Sequence, residues 1–518
     1  MKFSGAIQAL AFPTVIVAGS LKITVPEAHR SQAKAVAPDL VSFSIEQDGW
    51  LEWVGSSRRN EFFYNSLDNL MQLTGAPPRI RVGGRSQDGT NVLYANSTPL
   101  IPYPEASSMW IGGDFYAAAK FLPENTRLTH ALNFASIDDL RGFWQLATII
   151  TSFDSTDMKK AKITLDAIEV GNEPDMYGVK GPKPARYGVI EYLSEWSGWA
   201  TNVLAVEDVY YGAYVSYWGG ALARSSHTTK GWSPQALFNE GYLQLHCRRA
   251  GIYLRFSQHH YTGAACVAGH SDLKQLVSKS HIRSTLDTFK PDILTVREHG
   301  MDYVLGEVAS FSCHGAAGVS DTAAAALWAL DYALYSSTIG VSRVFFHQGI
   351  GYKSNFIQPV ELTWSTTDGS PLPAPLLPHV NPQYYAAVIA GEAIGATNTT
   401  RILELPVEDS RVAGYLIYEG ETPARAILIN TQTYLPSGYG FFQTRPSVRV
   451  RLDVAGSTPY ELKRLAVPYA DSTSGLNWGG VTYETSSGRP SGEEVVECID
   501  PEEGFDLYAT EVALVLLT

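Results

Sequence analysis

Two glutamates, Glu173 and Glu307, stand where paired carboxylates could do chemistry. Each follows an apolar run and then a glycine or asparagine: Ile168-Glu169-Val170-Gly171-Asn172 leads into Glu173, and Tyr303-Val304-Leu305-Gly306 leads into Glu307. Pro174 stiffens the turn after the first. A lone glutamate in a loop is ordinarily a solvated surface residue, but a shared context at two distant positions points to a common task. Cleaving a glycosidic bond requires a proton donor at the leaving oxygen and, in the retaining course, a carboxylate nucleophile about 5 to 5.5 Å away. Glu173 and Glu307 are therefore the candidate catalytic pair.

The elements that must bring them together are legible as alternation. Short apolar runs at 41–46, 79–83, 128–134, 167–172, 209–214, 255–261, 303–307 and 343–347 read as eight strands. Between them lie segments of helical period. Residues 61–74 place Phe62, Leu67, Leu70 and Leu73 near one face and stop at Gly75, and 140–150, 189–206 and the Ala-rich 322–336 are also predicted helices. Eight strands with interleaved helices predict an α/β fold, a (β/α)8 TIM barrel over 41–395. A doubly wound sheet is the alternative, but no Gly-rich phosphate loop follows the first strand. In a barrel, strands four and seven face each other, so Glu173 and Glu307 can converge. Polar residues crowd the other predicted strand ends too, with Glu46 closing strand one and His259-His260-Tyr261 closing strand six. Beyond Gly395 the texture changes to alternating runs at 412–418, 424–430, 448–454 and 510–517, separated by Gly, Pro, Ser and Thr, which predicts a β-sandwich over 396–518. The segment 21–40 could add a strand to it.

With 518 residues there is room for a barrel and an accessory domain. Hydrophobic residues at 45% and charged residues at 18% favour neither disorder nor a membrane bundle. A formal charge of −13 argues against nucleic acid, whose phosphates demand clustered Lys and Arg. An acidic chain with 28 Tyr and 11 Trp suits carbohydrate better. Lys2, an apolar run from Ala6 to Leu21 and the small residues Ala18-Gly19-Ser20 read as a signal peptide over 1–20, predicting a secreted, extracellular protein with no membrane anchor. Asn96-Ser97-Thr98 and Asn398-Thr399-Thr400 are glycosylation sequons. Cys247, Cys266, Cys313 and Cys498 match no zinc motif; three pairings are open if all are bridged, and one bridge or none is equally compatible. His259-His260 face opposite ways along a strand and make a poor metal pair, and Cys313-His314 lacks an orienting third group for thiol catalysis. No cofactor or metal is expected.

Asn172-Glu173-Pro174 and Glu307 resemble the paired motifs of the retaining clan A glycosidases, and more specifically those of glycoside hydrolase family 79, which holds β-glucuronidases and heparanase-like enzymes. Ser44-Ile45-Glu46, Arg81-Val82-Gly83-Gly84 through Asp88, His259-His260-Tyr261 and Ser320-Asp321 extend the resemblance over most of the chain. It implies Glu173 as general acid/base, Glu307 as nucleophile, Asn172 as partner of the sugar 2-hydroxyl, Tyr261 as the orienter of Glu307 and Glu46 as an acceptor for ring hydroxyls. It assigns recognition of a substrate carboxylate to backbone amides around Cys313, His314 and Gly315 and to Tyr352. Ser312 and Lys353 are further candidate donors by residue type. The pattern departs at Arg85-Ser86, where relatives usually carry Asn-Thr, and at Cys313-His314, where they often carry glycine. The activity implied is that of a retaining exo-β-glucuronidase acting on a small glucuronide or a glucuronate-bearing glycan. Alternatives are an endo-acting enzyme on an acidic polysaccharide, a neutral-sugar β-glycosidase, and a non-catalytic carbohydrate-binding barrel.

Overall fold

Eight parallel strands close into a barrel in the computed structural model of the chain, which describes residues 21–24, 33–92, 108–135, 139–210, 216–243, 253–267, 272–365, 369–436, 444–453 and 459–517. The barrel strands are β1 (Val41–Glu46), β2 (Ile80–Gly83), β3 (Arg127–Leu132), β4 (Thr164–Val170), β5 (Tyr217–Leu222), β6 (Tyr253–Ala264), β7 (Asp302–Ser312) and β8 (Arg343–Gln348). Each pairs with its neighbours in sequence, and β8 returns to β1 in the register Val344 to Val41 through Gln348 to Ile45. The expected signal peptide at 1–20, the sequon Asn96 and Cys247 lie outside the described residues.

Seven expected strands fall where the sequence placed them. The fifth does not. Val209 and Tyr210 end a long helix, Val189–Tyr210, and β5 lies at Tyr217–Leu222. The run Val209-Tyr210-Tyr211 has strand-like composition, but nothing breaks the helix before it. The true strand is masked by Gly219 and Gly220, which weaken any strand reading. Packing explains them: a Cβ on Gly219 would lie 2.5 Å from the Tyr242 hydroxyl, and one on Gly220 2.5 Å from the Phe256 ring.

The helices follow their sequence signals more closely. Glu61–Thr74 is capped by Asn60, whose side chain accepts from the Phe63 N–H, and ends at left-handed Gly75. Ala323–Ile339 has no polar face because it is buried all round, between the barrel and the C-terminal domain. Arg283 ties the two units, donating to Asp331 at 2.7 and 2.9 Å, to Glu404 at 2.8 Å and to the Tyr415 hydroxyl at 2.6 Å.

The C-terminal unit is two sheets. The larger runs in the order 34–35, 400–404, 412–419, 422–430, 511–516, 460–466, 477–478; the smaller joins Leu21–Thr24, Ser447–Asp453 and Phe505–Tyr508. Leu21–Thr24 pairs parallel to Ser447–Asp453 and sends Ile23 into the core with Leu416, Leu428, Val450 and Phe505.

The barrel interior is layered. Near its N-terminal end Arg79, Arg255 and Arg343 meet Asp39 and Asp166 in a buried charge network. Above it Ala167, Trp218, Val304 and Phe345 form an apolar plug, with the Trp218 and Phe345 rings edge to face at 5.0 Å. The charged layer above the plug opens into the site.

Candidate active site

Glu307 sits within β7, not at its end as the sequence reading had it. A register shift separates Leu305 from Val308 against β8, and another separates Gln258 from His259 against β7. Such irregularities re-aim a side chain. The neighbour Gly306 permits this one, because a Cβ there would lie 2.1 Å from the Ser257 hydroxyl. Glu307 consequently points inward and is gripped from both sides: Arg81 Nη1 donates to Oε2 at 2.6 Å and the Tyr261 hydroxyl to Oε1 at 2.5 Å. Burial by itself would raise the Glu307 pKa. The fields of His347, His259 and Arg81, with the Tyr261 hydrogen bond, override it and hold the carboxyl below the usual carboxylate range. Glu307 is thus kept ionised, as a nucleophile must be.

The Arg81 guanidinium is wholly buried and organises this half of the site. It also donates to Glu169 at 3.0 and 2.5 Å, to the Ser44 hydroxyl at 2.8 Å and to Asn172 Oδ1 at 3.1 Å. That last bond fixes the Asn172 amide with its NH2 as the remaining donor. His347 bonds Ser44 through Nδ1 at 2.9 Å and Glu46 through Nε2 at 3.2 Å. Burial works against the His347 proton, but the Glu307 charge and the bond to Glu46 prevail and raise its pKa.

Glu173 follows β4 on a tight turn. Its φ is 51°, in the left-handed region where a side chain with a Cβ is strained, and its N–H donates to Ala221 at 2.9 Å. The carboxyl is 27% exposed and meets His259 Nδ1 at 3.3 Å. One atom each of Glu173, His259 and Glu307 lie within 4.8 Å of one another. That spacing matches the nucleophile and acid of a retaining glycosidase, and is shorter than the roughly 6.5 to 9.5 Å of inverting pairs. The same three groups have the donor set of a small cation site, yet Arg81 already supplies Glu307 with a positive partner. His260, the next residue along β6, turns away from the cleft onto the Tyr332 hydroxyl at 2.8 Å.

The pair opens into a cleft of about 660 Å³ lined by Glu46, Asn172, Tyr261, Ser312, His314 and Tyr352 among others. Most of the sequence-predicted residues are brought together here. Glu46 arrives already engaged: its oxygens accept from the Ser86 N–H at 2.8 Å, the Ser86 hydroxyl at 2.5 Å and the Arg85 N–H at 3.3 Å. Two candidates are not in the lining. Gly315 backs onto the Lys353–Ser354 backbone, and the half-exposed Lys353 ammonium lies 4.0 Å from Asp321. The turn after β7 has three successive left-handed residues, Cys313, His314 and Gly315, with φ of 60°, 69° and 84°. A disulfide from Cys313 to Cys266 staples that turn to the end of β6, and the His314 ring stacks on Tyr352 at 4.4 Å.

Arg81, Glu169, His259 and His347 were not singled out as site residues from the sequence. Their signal was present: charge or imidazole in the middle or at the end of otherwise apolar barrel strands, where nothing charged is left without a partner.

Residues 414–514 match the family described as the glycosyl hydrolase family 79 C-terminal beta domain. A β-glucuronidase of Neurospora crassa is 26% identical over 94% of this chain and 91% of the relative, and one of Aspergillus niger is 26% identical over 88% and 85%. Among solved structures, a 4-O-α-L-rhamnosyl-β-D-glucuronidase of Fusarium oxysporum superposes with a TM-score of 0.78 at 22% identity, covering 96% of this chain and all of that one. A family 51 arabinofuranosidase of Xanthomonas axonopodis pv. citri follows at 0.61 and 13%, covering 96% and 99%. These backbones share the barrel and the appended β domain.

Proposed function

We propose that this chain, which belongs to glycoside hydrolase family 79, is a retaining exo-β-glucuronidase that releases terminal β-D-glucuronic acid. The observation that carries the reading is the pair itself: Glu307 clamped and ionised between Arg81 and Tyr261, with Glu173 within 4.8 Å on the opposite strand. In the first step Glu307 attacks the anomeric carbon while Glu173 gives its proton to the departing oxygen. In the second, Glu173 takes a proton from water, which releases the sugar from Glu307 with its anomeric configuration retained. The negative charge of Glu307 is consumed by the covalent bond of the first step, so Glu173 acts as base in the second beside a neutral ester.

Glucuronate recognition is supported by the β7 and β8 turns. The turn after β7 passes through three successive left-handed residues, a backbone shape of the kind that turns N–H groups toward an anion. Ser312, whose hydroxyl donates to the Gly263 carbonyl at 3.3 Å, and Tyr352 place hydroxyls on the same wall. The reading extends to an extracellular enzyme, supported by the Cys266–Cys313 disulfide, since such bonds persist in oxidising compartments, and by the exposed sequon Asn398. None of the described helices is long and apolar enough to cross a membrane.

The test is kinetic. 4-Nitrophenyl β-D-glucuronide should be cleaved with kcat/KM at least about a hundredfold above that for the matching glucoside, because a site built around a carboxylate leaves buried donors unpaired without it. Equal rates, or preference for the glucoside, would replace the proposal by a neutral-sugar glycosidase. Glu307→Gln should abolish turnover on both.

A further inference from the structure

Beneath the turn that carries Glu173 lies a group with no part in the scheme above. Asp88, in the helical turn after β2, accepts from the Tyr177 hydroxyl at 2.9 Å, and the backbone amides of Phe134 and Asn172 bond it as well. Tyr177, on the segment after β4, in turn accepts from the Asn172 N–H at 3.2 Å. One carboxyl at the end of β2 thus gathers donors from the ends of β3 and β4. The joint is closely packed: a Cβ on Gly171 would lie 2.9 Å from both the Tyr177 hydroxyl and Phe134 Cβ.

On the other side of Glu173, Asp175 accepts from the Ala223 and Arg224 N–H groups at 2.9 and 3.0 Å, tying the same turn to the end of β5. Glu173 therefore occupies a left-handed turn braced from two directions. The braces add to the Glu173 backbone bonds with Ala221 and Met176 in opposing the relaxation of a non-glycine residue with φ of 51° toward a right-handed or extended conformation.

We infer that the Asp88–Tyr177 pair is the positioning device of the general acid: it locks the Gly171-Asn172-Glu173 turn so that the Glu173 carboxyl meets the departing oxygen. The groups facing Glu173 are Asp88 and Asp175 on the brace side and His259 and Glu307 across the cleft, with Arg85 and Lys180 on the same cleft wall. Burial pushes Asp88 up to about 8 and Asp175 up to about 7, each further raised by Glu173. Both carboxyls therefore remain protonated through mildly acidic conditions. In that state they brace the turn without adding charge that would repel an ionised Glu173 in the second step.

The inference rests on Glu173 being the acid, and the test separates the two. Tyr177→Phe removes one hydroxyl. It is measured on 2,4-dinitrophenyl β-glucuronide, whose leaving group needs no proton, and on methyl β-glucuronide, whose leaving group does. The expected result is a loss of kcat/KM on the methyl substrate at least about tenfold greater than on the dinitrophenyl one, a fraction of the roughly 10²- to 10⁴-fold that general acid catalysis supplies. Asp88→Asn, which keeps size and an acceptor oxygen, should show the same selectivity at smaller amplitude. Equal losses on both substrates, or none, in both variants would overturn the inference. Glu173→Ala is run beside them. If it shows leaving-group dependence and rescue by azide while Tyr177→Phe and Asp88→Asn treat the substrates alike, only this inference falls; if Glu173→Ala shows neither, the role of Glu173 falls and this inference with it.

Discussion

Arg81 Nη1 lies 2.6 Å from Glu307 Oε2, and the same guanidinium holds Glu169 at 2.5 and 3.0 Å, all three side chains buried. One cation between two carboxylates leaves a negative charge whose exposed edge lies on Glu307. Removing one member of a buried pair costs about 3 to 5 kcal/mol, because the remaining charge is left without a partner.

Arg81→Ala should therefore lower the thermal unfolding midpoint by several degrees and reduce kcat by two orders of magnitude or more, on the order of 3 kcal/mol of barrier. Arg81→Lys keeps the charge but not the planar fork, and should recover stability better than rate. Calorimetry and steady-state kinetics on the two variants check this; full activity in Arg81→Lys would show that charge alone suffices.

His347 carries a pH signature. Glu307 is depressed in the fold, so its ion pairing stabilises the protein above the ordinary carboxylate pKa, and that contribution is lost as pH falls toward the native value. His347→Gln removes a neighbouring positive field, which lets burial raise Glu307. The acid limb of kcat/KM against pH should move upward by about one unit. A limb that stays in place would assign the depression to His259, Arg81 and Tyr261 instead.

The Cys266–Cys313 bridge joins residues 47 positions apart and staples the turn that bears His314. Replacing both cysteines by serine should cost about 2 to 4 kcal/mol of stability. It should raise KM for glucuronides more than it lowers kcat, since Glu173 and Glu307 are held by β2, β4, β5, β6 and β7 rather than by this turn. A fall in kcat with KM unchanged would contradict that division.

His130 is buried among Trp50, Tyr116 and Phe153 rings, and neither of its ring nitrogens finds a hydrogen-bond partner among the described residues. Burial pushes it down to about 3. The unfolded chain takes up that proton near pH 6.5 and the folded one does not. Stability should thus fall with pH below about 6.5, by up to about 1.4 kcal/mol per unit for this group alone. His130→Phe should flatten that slope in urea titrations between pH 6.5 and 4; an unchanged slope would mean that the pocket admits a proton.

The two candidate glutamates and the barrel that joins them could be read from local features: apolar runs, a helix stop at Gly75, and Glu-Pro after a strand. What could not be read depends on stagger between distant strands. Arg81 and Glu169 each sit one residue inside an apolar strand, and only the register of β2 against β3 and β4 shows that they face one another. Glu307 looked terminal because the irregularity at Gly306 is not announced in sequence; β7 runs five residues further, to Ser312. The fifth strand was misplaced for a related reason, its glycines being demanded by Tyr242 and Phe256 from other elements. Lys353 has the right charge for a substrate carboxylate, but its backbone direction, fixed by the bond from its N–H to the His314 carbonyl at 2.6 Å, sends the ammonium toward Asp321.

The central claim, a double displacement between Glu173 and Glu307, is tested most directly by following the hydrolysis of 4-nitrophenyl β-D-glucuronide by proton NMR from the first minutes. The account predicts that the β-anomer of glucuronic acid appears first and that the α-anomer grows in only by mutarotation. Initial appearance of the α-anomer would mean that water attacks directly, and Glu307 would then not be the nucleophile.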